Sequence, residues 1–201
     1  MAMLKNLCIY CGSSAGDNPV YANVARLLGK MLADKKITLV YGAGNIGIMG
    51  ILADTMLENN GKVIGIIPKL LVEKEVVHDR LTELHVVKTM HERKALLSTI
   101  SDAFMVLPGG FGTLDEMFEA LTWNQLEIIR KPVGLLNINH YFDGLITFLD
   151  HATKERFIRI EHRNNLVVED NESILLEKLL NFEPVKIHSK WIDELKVKNR
   201  Y

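Results

Sequence analysis

Seven short apolar runs recur along the chain, and they run apolar without alternation. They lie at 5–11, Ile37–Tyr41, Val63–Ile67, 84–88, Ala103–Leu107, 132–138 and around Leu166–Val168. A strand with one wet face alternates polar and apolar residues, whereas a continuously apolar strand is covered on both faces, as in a parallel sheet. Between the runs lie segments of helical period, at about 19–34, 47–60, 90–100, 113–129, 141–155 and 172–181. This interleaving predicts an α/β fold, a doubly wound Rossmann-like parallel sheet with helices on both faces.

No repeat, low-complexity stretch or linker divides the pattern, so residues 1–183 read as a single domain. Residues 68–82, which include Pro68, carry no clear period. Beyond Pro184 the alternation is lost, and 184–201 reads as a tail, either a docked helix or partly disordered.

Charge removes several function classes. With 24 Lys and Arg against 25 Asp and Glu, the net charge is −1, which argues against nucleic acid as a partner. No apolar run reaches the ~18 residues of a membrane span, and Met1–Asn6 lacks the basic-then-apolar pattern of a secretory leader. Two cysteines make no disulfide framework. A cytoplasmic protein with no membrane partner is the expectation. Cys8 and Cys11 have redox-motif spacing, but such motifs open a helix. Here they sit in a strand, where residues three apart point to opposite faces, so two packed thiols are expected.

In this fold ligands bind at the carboxyl ends of strands, where strand order reverses. Three of the loops at strand ends are glycine-rich. Gly12 and Ser13 open the first. The second, Gly42-Ala-Gly44-Asn-Ile-Gly47, is a G-x-G-x-x-G between strand and helix, which points to a dinucleotide. That reading needs an acidic residue ending the next strand, and here Pro68-Lys69 follows instead. The third loop, Pro108-Gly109-Gly110-Phe111-Gly112-Thr113-Leu-Asp-Glu116, brings backbone amides to a helix start and so suits a phosphate. It lacks the lysine of a P-loop.

Three residues have competing explanations. Thr113 and Glu116 fit a capping box, Thr-x-x-Glu. On the same helix Leu114, Met117, Phe118, Leu121 and Ile128 form a core face. Glu116, Glu119, Ala120, Trp123 and Glu127 form the opposite one, where a tryptophan suggests an interface or substrate surface rather than open water. Arg93 falls on the apolar stripe of Met90, Leu97 and Ile100. A buried guanidinium needs either a structural carboxylate partner or an anionic ligand. The seven histidines have no metal-ligand spacing, and no nucleophile motif is present, so no metal or cofactor is expected.

Met90-His-Glu-Arg93-Lys94 followed by Pro108-Gly-Gly-Phe-Gly-Thr-Leu-Asp-Glu116 resembles the Lonely Guy (LOG) family, cytokinin riboside 5′-monophosphate phosphoribohydrolases often mislabelled lysine decarboxylases. The Cys11-Gly-Ser-Ser turn, Tyr41-Gly-x-Gly…Gly47-x-Met-Gly50, Thr122-Trp-x-Gln-Leu126 and Lys131-Pro-Val-Gly-Leu-Leu-Asn137 extend the resemblance over about residues 5–182. It implies hydrolysis of the N-glycosidic bond of a purine nucleoside 5′-monophosphate to free base and ribose 5-phosphate, and a homodimer. It implies Arg93 and Glu116 as the catalytic pair, with Glu75, Lys94 and Thr122 as substrate contacts. The phosphate would rest on the amides of Gly109–Thr113. Ala43, His140 and Arg156 stand where the family commonly has glycine. A non-catalytic nucleotide or molybdenum-cofactor carrier of the same fold is the alternative. A pyridoxal-phosphate decarboxylase would need a lysine in a cofactor setting, and none is recognisable.

Overall fold

The computed structural model describes residues 4–72 and 77–183. Each apolar run forms a strand: β1 (Asn6–Tyr10), β2 (Thr38–Tyr41), β3 (Val63–Pro68), β4 (Glu83–Val87), β5 (Ala103–Val106), β6 (Val133–Leu136) and β7 (Leu166–Glu169). The helices are α1 (Pro19–Asp34), α2 (Gly47–Glu58), α3 (Lys69–Val72), α4 (Met90–Ile100), α5 (Phe111–Gln125), α6 (Asp143–Lys154), α7 (Ile160–Arg163) and α8 (Glu172–Leu180). Only α3 and α7 were without a periodic signal; four residues are too few to carry one. The expected tail, 184–201, lies outside the described residues.

All strand pairs are parallel, in the order β4-β3-β2-β1-β5-β6-β7. The sheet separates two cores. Leu7, Ile9, Leu39 and Tyr41 pack on the α1, α2 and α8 side. Cys8, Val40, Phe104 and Val106 pack with Leu97 of α4 and Met117 of α5 on the other. Cys8 and Cys11 fall on opposite sides, both unpaired and buried, and burial pushes both thiols far up. Two thiols held protonated on opposite faces of a sheet have no redox chemistry to share. No helix among the described residues is long and apolar enough to cross a membrane.

The chain builds outward from β1 to β4, then returns to lay β5 against the other side of β1. Strand order therefore reverses between β1 and β5, and the loops after them part to leave a crevice.

Four helices end on a residue in the left-handed region: Lys36 after α1 (φ 57), Asn60 after α2 (φ 58), Glu127 after α5 (φ 58) and Arg156 after α6 (φ 65). At α6 the Arg156 N–H donates to Thr153 (3.1 Å) and the Phe157 N–H to Ala152 (2.9 Å), the paired bonds of a Schellman motif. Ala43 (φ 66) and His140 (φ 60) are left-handed as well. The three positions where the resembled family commonly has glycine thus all need a backbone that glycine adopts without strain, and here each carries a side chain. Arg156 is exposed. Replacing it with glycine removes roughly 1–2 kcal/mol of strain and loosens the unfolded chain by about 0.4–1 kcal/mol. Arg156→Gly is expected to raise the melting temperature by about 1–4 °C, read by calorimetry, with no change in secondary structure by circular dichroism.

Candidate active site

The crevice between β1 and β5 is closed at its base by main chain. The Gly12 N–H donates to the Pro108 carbonyl at 3.0 Å, and the Gly12 carbonyl accepts from Ile48 (3.1 Å) and Met49 (3.4 Å) at the start of α2. Gly47 makes this approach possible. It is left-handed (φ 62), and a Cβ there would lie 2.3 Å from the Ser13 carbonyl carbon. All three glycine loops meet in consequence. The Ile48 and Met49 amides at the start of α2 are taken by the Gly12 carbonyl, which argues against the G-x-G-x-x-G loop as the pyrophosphate cradle that its spacing suggests.

At α5 the situation is reversed. The helix begins at Phe111, two residues before the expected start, with Gly110 at the N-cap and no side-chain cap. Thr113 is consequently inside the first turn, buried against Gly109, and the capping box expected of Thr113 and Glu116 does not form. Among the described residues nothing accepts from the amides of Phe111, Gly112 and Thr113; the first helical bond is Leu114 to Gly110 at 3.1 Å. A Thr-x-x-Glu cap does occur at the start of α4, where Thr89 accepts from the Glu92 N–H (3.1 Å) and the Glu92 carboxylate reaches past the cap to accept from the Lys88 N–H (2.7 Å). It fixes the helix that carries Arg93.

Arg93 and Glu116 face each other across this space, Nη2 to Oε1 at 3.6 Å. Both line a cavity of about 400 Å³ with Gly12, Ser13, Gly42, Gly44, Gly110, Phe111, Gly112 and Thr113. Arg93 has a carboxylate partner and also lines the cleft, so its geometry is compatible with both explanations. Gly42 gives the guanidinium its room, because a Cβ there would sit 2.0 Å from Arg93 Nη2. Among the described residues, the guanidinium's only polar partner besides Glu116 is the Met90 sulfur (3.5 Å), and its Nε is buried without an acceptor. The remaining Nη hydrogens are left for a ligand.

Burial raises the Glu116 carboxyl to about 7, with Arg93 and then Lys94 pulling it back down and Asp115 and Glu119 pushing it up. A carboxyl poised near neutrality in a cleft is suited to proton transfer or to stabilising a cation.

Other expected site residues divide. Lys94 does not line the cavity; it is bonded to Asp115 (2.6 Å) and Glu119 (3.5 Å), which together hold its ammonium charged despite partial burial. Thr122, farther along α5, gives its hydroxyl to the Phe118 carbonyl (2.7 Å) and is exposed outside the cavity. Gly109 borders a second cavity of about 310 Å³ that shares Gly12, Ser13 and Gly110 with the first. Glu75 lies outside the described residues. The face expected for α5 needs correction as well. Ala120, assigned outward, is buried, while Phe118 (37% exposed) and Ile128 (63%) are not in the core, since the chain turns at Glu127 before reaching Ile128. Sequence reasoning missed Ile46, at the end of the second glycine loop, and Met49, in the first turn of α2, which wall the cavity; an apolar side chain gives no sign that it borders a ligand space.

The family model described as "Possible lysine decarboxylase" matches residues 49–179. The chain is 43% identical over 180 residues to the cytokinin riboside 5′-monophosphate phosphoribohydrolase LOG7 of Arabidopsis thaliana, covering 90% of this chain and 83% of that one. It is 44% identical over 181 residues to the probable enzyme LOGL9 of rice (Oryza sativa subsp. japonica), covering 90% and 80%. Among solved structures, the molybdenum cofactor binding protein of Rippkaea orientalis superposes with a TM-score of 0.65 at 24% identity, covering 88% of this chain and 96% of that one. The Moco carrier protein of Chlamydomonas reinhardtii does so at 0.65 and 20%, covering 89% and 98%. At those identities the likeness is one of fold. The match to the family model and the long alignments to the plant enzymes show more: this chain belongs to the LOG family, the group that the label "possible lysine decarboxylase" covers.

Proposed function

We propose that the protein hydrolyses the N-glycosidic bond of a purine riboside 5′-monophosphate, of cytokinin or adenosine type, to free base and ribose 5-phosphate. The observation that carries this reading is the Arg93–Glu116 pair on the wall of a cavity whose other side is the uncapped start of α5. The identity to LOG7 and LOGL9, both named for this activity, supports it. The carrier alternative has only likeness of fold behind it.

In the proposed reaction the amides of Phe111, Gly112 and Thr113, with the positive end of the α5 dipole, hold the 5′-phosphate. This places the sugar toward Glu116. As the C–N bond lengthens, positive charge grows on the anomeric carbon and ring oxygen, and the ionised Glu116 stabilises it and orients the incoming water. The Arg93 guanidinium offsets negative charge on the departing base. Water adds its oxygen to the anomeric carbon, one proton ends on the base, and no metal or cofactor is required. With its pKa near 7, Glu116 is also able to take the proton that the attacking water loses.

The protein should release adenine from AMP and not from adenosine, because the phosphate supplies binding that adenosine lacks. In Glu116→Gln, AMP binding should persist while adenine release falls on the order of 10²-fold or more. Chromatographic assay decides both; equal rates on nucleoside and nucleotide, or a variant near wild-type turnover, overturn the assignment.

Glu116 also leaves a signature in stability. Its carboxyl is raised from 4.5 to about 7 in the folded protein, so between those values the folded state holds a proton that the unfolded state has lost. Stability therefore falls as pH rises through that window and levels off above it. Urea unfolding across pH 5–8 should show this slope in the wild type and a flatter one in Glu116→Gln; parallel curves would count against the buried carboxyl.

The outer face of α5 and its end expose Phe118, Leu126 (59%) and Ile128 beside a half-buried Trp123. A homodimer that covers this face is the assembly we propose. Light scattering at micromolar concentration should give twice the 22.8 kDa chain mass, and the monomer mass would refute it.

A further inference from the structure

Tyr141, in the loop after β6, has no part in the chemistry above. It follows the 3₁₀ turn Ile138–His140 and donates its hydroxyl to the Gly109 carbonyl at 2.9 Å. The described peptide bonds are all trans, and a trans peptide sets its C=O and its N–H antiparallel. With the Gly109 carbonyl turned to Tyr141, the Gly110 N–H points the opposite way. Tyr141 and Gly109 border the second cavity, whereas Gly110 borders both and is continuous with Phe111, Gly112 and Thr113 on the wall of the first. We infer that Tyr141 is a positioning residue for the phosphate: its hydroxyl locks the Gly109–Gly110 peptide so that the Gly110 N–H joins the three helix amides in the cradle. The inference rests on the phosphate site proposed above.

Three observations carry it. A peptide between two glycines has no Cβ to bias its rotation, so an external bond must choose its orientation. The preceding carbonyl, Pro108, is already held by Gly12, which leaves Gly109 as the one free to turn. The hydroxyl does not need this bond for its own sake, since Tyr141 is 46% exposed and water would serve it.

The ring is also delivered at a cost. Asn139 and His140 before it are both left-handed (φ 50 and 60). Strained turns persist where their surroundings over-determine them. Here Asn137 clamps the turn by accepting from the Phe142 N–H (2.7 Å) and donating to Asp143 (2.7 Å), while its own N–H reaches the Glu169 carbonyl (2.7 Å). Edge-on contacts to Phe142 (4.8 Å) and to Tyr21 of α1 (5.8 Å) hold the ring itself.

Tyr141→Phe keeps those ring contacts and removes only the tether. Its melting temperature should match the wild type, KM for AMP should rise about tenfold, the effect of one lost bond to a charged group, and kcat should change by less than about threefold. A second readout needs no turnover. Inorganic phosphate titrated into ¹⁵N-labelled protein should shift the Gly110 amide resonance in the wild type, and this shift should vanish in the variant while those of Phe111–Thr113 remain. A Gly110 amide that ignores phosphate in the wild type, or responds equally in both proteins, overturns the inference, as does an unchanged KM. If the wild type leaves AMP intact yet its Gly110 amide responds to phosphate only when Tyr141 is present, the proposed reaction fails and the positioning role stands.

Discussion

Gly12 is bonded on both sides of its backbone. Its N–H reaches Pro108 at the end of β5, and its carbonyl takes the first-turn amides of α2. Through this residue the three glycine loops become one floor. It also decides which helix start is open. The amides that a dinucleotide would need at α2 are already occupied, and those at α5 are not. A parallel sheet with reversed strand order offers a crevice in any case; which ligand suits the crevice depends on such local bookkeeping of donors.

The second constraint is electrostatic. Removing Arg93 and Glu116 from water is costly, and at 3.6 Å their attraction is loose. A pair kept for stability would be expected to close into a bidentate contact and to satisfy the Arg93 Nε. Here the guanidinium stands with donors unspent over a cavity, and burial holds the Glu116 carboxyl near neutrality against the pull of Arg93 and Lys94, with Asp115 and Glu119 pushing the same way as burial. Such groups persist in a fold when the space between them receives something. Lys94 contributes from behind, tying α4 to Asp115 and Glu119 of α5, so the helices bearing the pair are held at a fixed separation.

Much of this was legible in the sequence because burial on both faces leaves a plain mark on the five inner strands, while the edge strands β4 and β7 are apolar yet more exposed. All seven strands lie within a few residues of their apolar runs, and Arg93 stood out on an apolar stripe. The start of α5 was not legible. Thr113-Leu-Asp-Glu116 reads as a cap locally, yet the helix starts two residues earlier, because Phe111 and Gly112 already form its first turn behind an extended Gly110 and Thr113 packs on Gly109. The Thr-x-x-Glu cap that does form, at Thr89–Glu92, went unread, though its pattern is the same. Tyr141 was beyond reach as well: its partner Gly109 is 32 residues away in the chain, and only the closing of β6 beside β5 brings them together.

The non-glycine residues at Ala43, His140 and Arg156 say where the chain tolerates strain. Arg156 ends a surface helix, and its strain has no evident return. Ala43 is buried; its carbonyl accepts from the His78 N–H (3.0 Å), and His78 in turn sits against Asp54 of α2 (3.2 Å). That contact braces the Gly42–Gly47 loop from outside, which lets a left-handed alanine persist where the loop passes Arg93. His140 is braced by the Asn137 clamp that delivers Tyr141. Two of the three strained positions are therefore over-determined by bonds that also shape the cavity, and the third is held only by its helix end. Strain that the surroundings enforce belongs with the site, and strain that they merely permit does not.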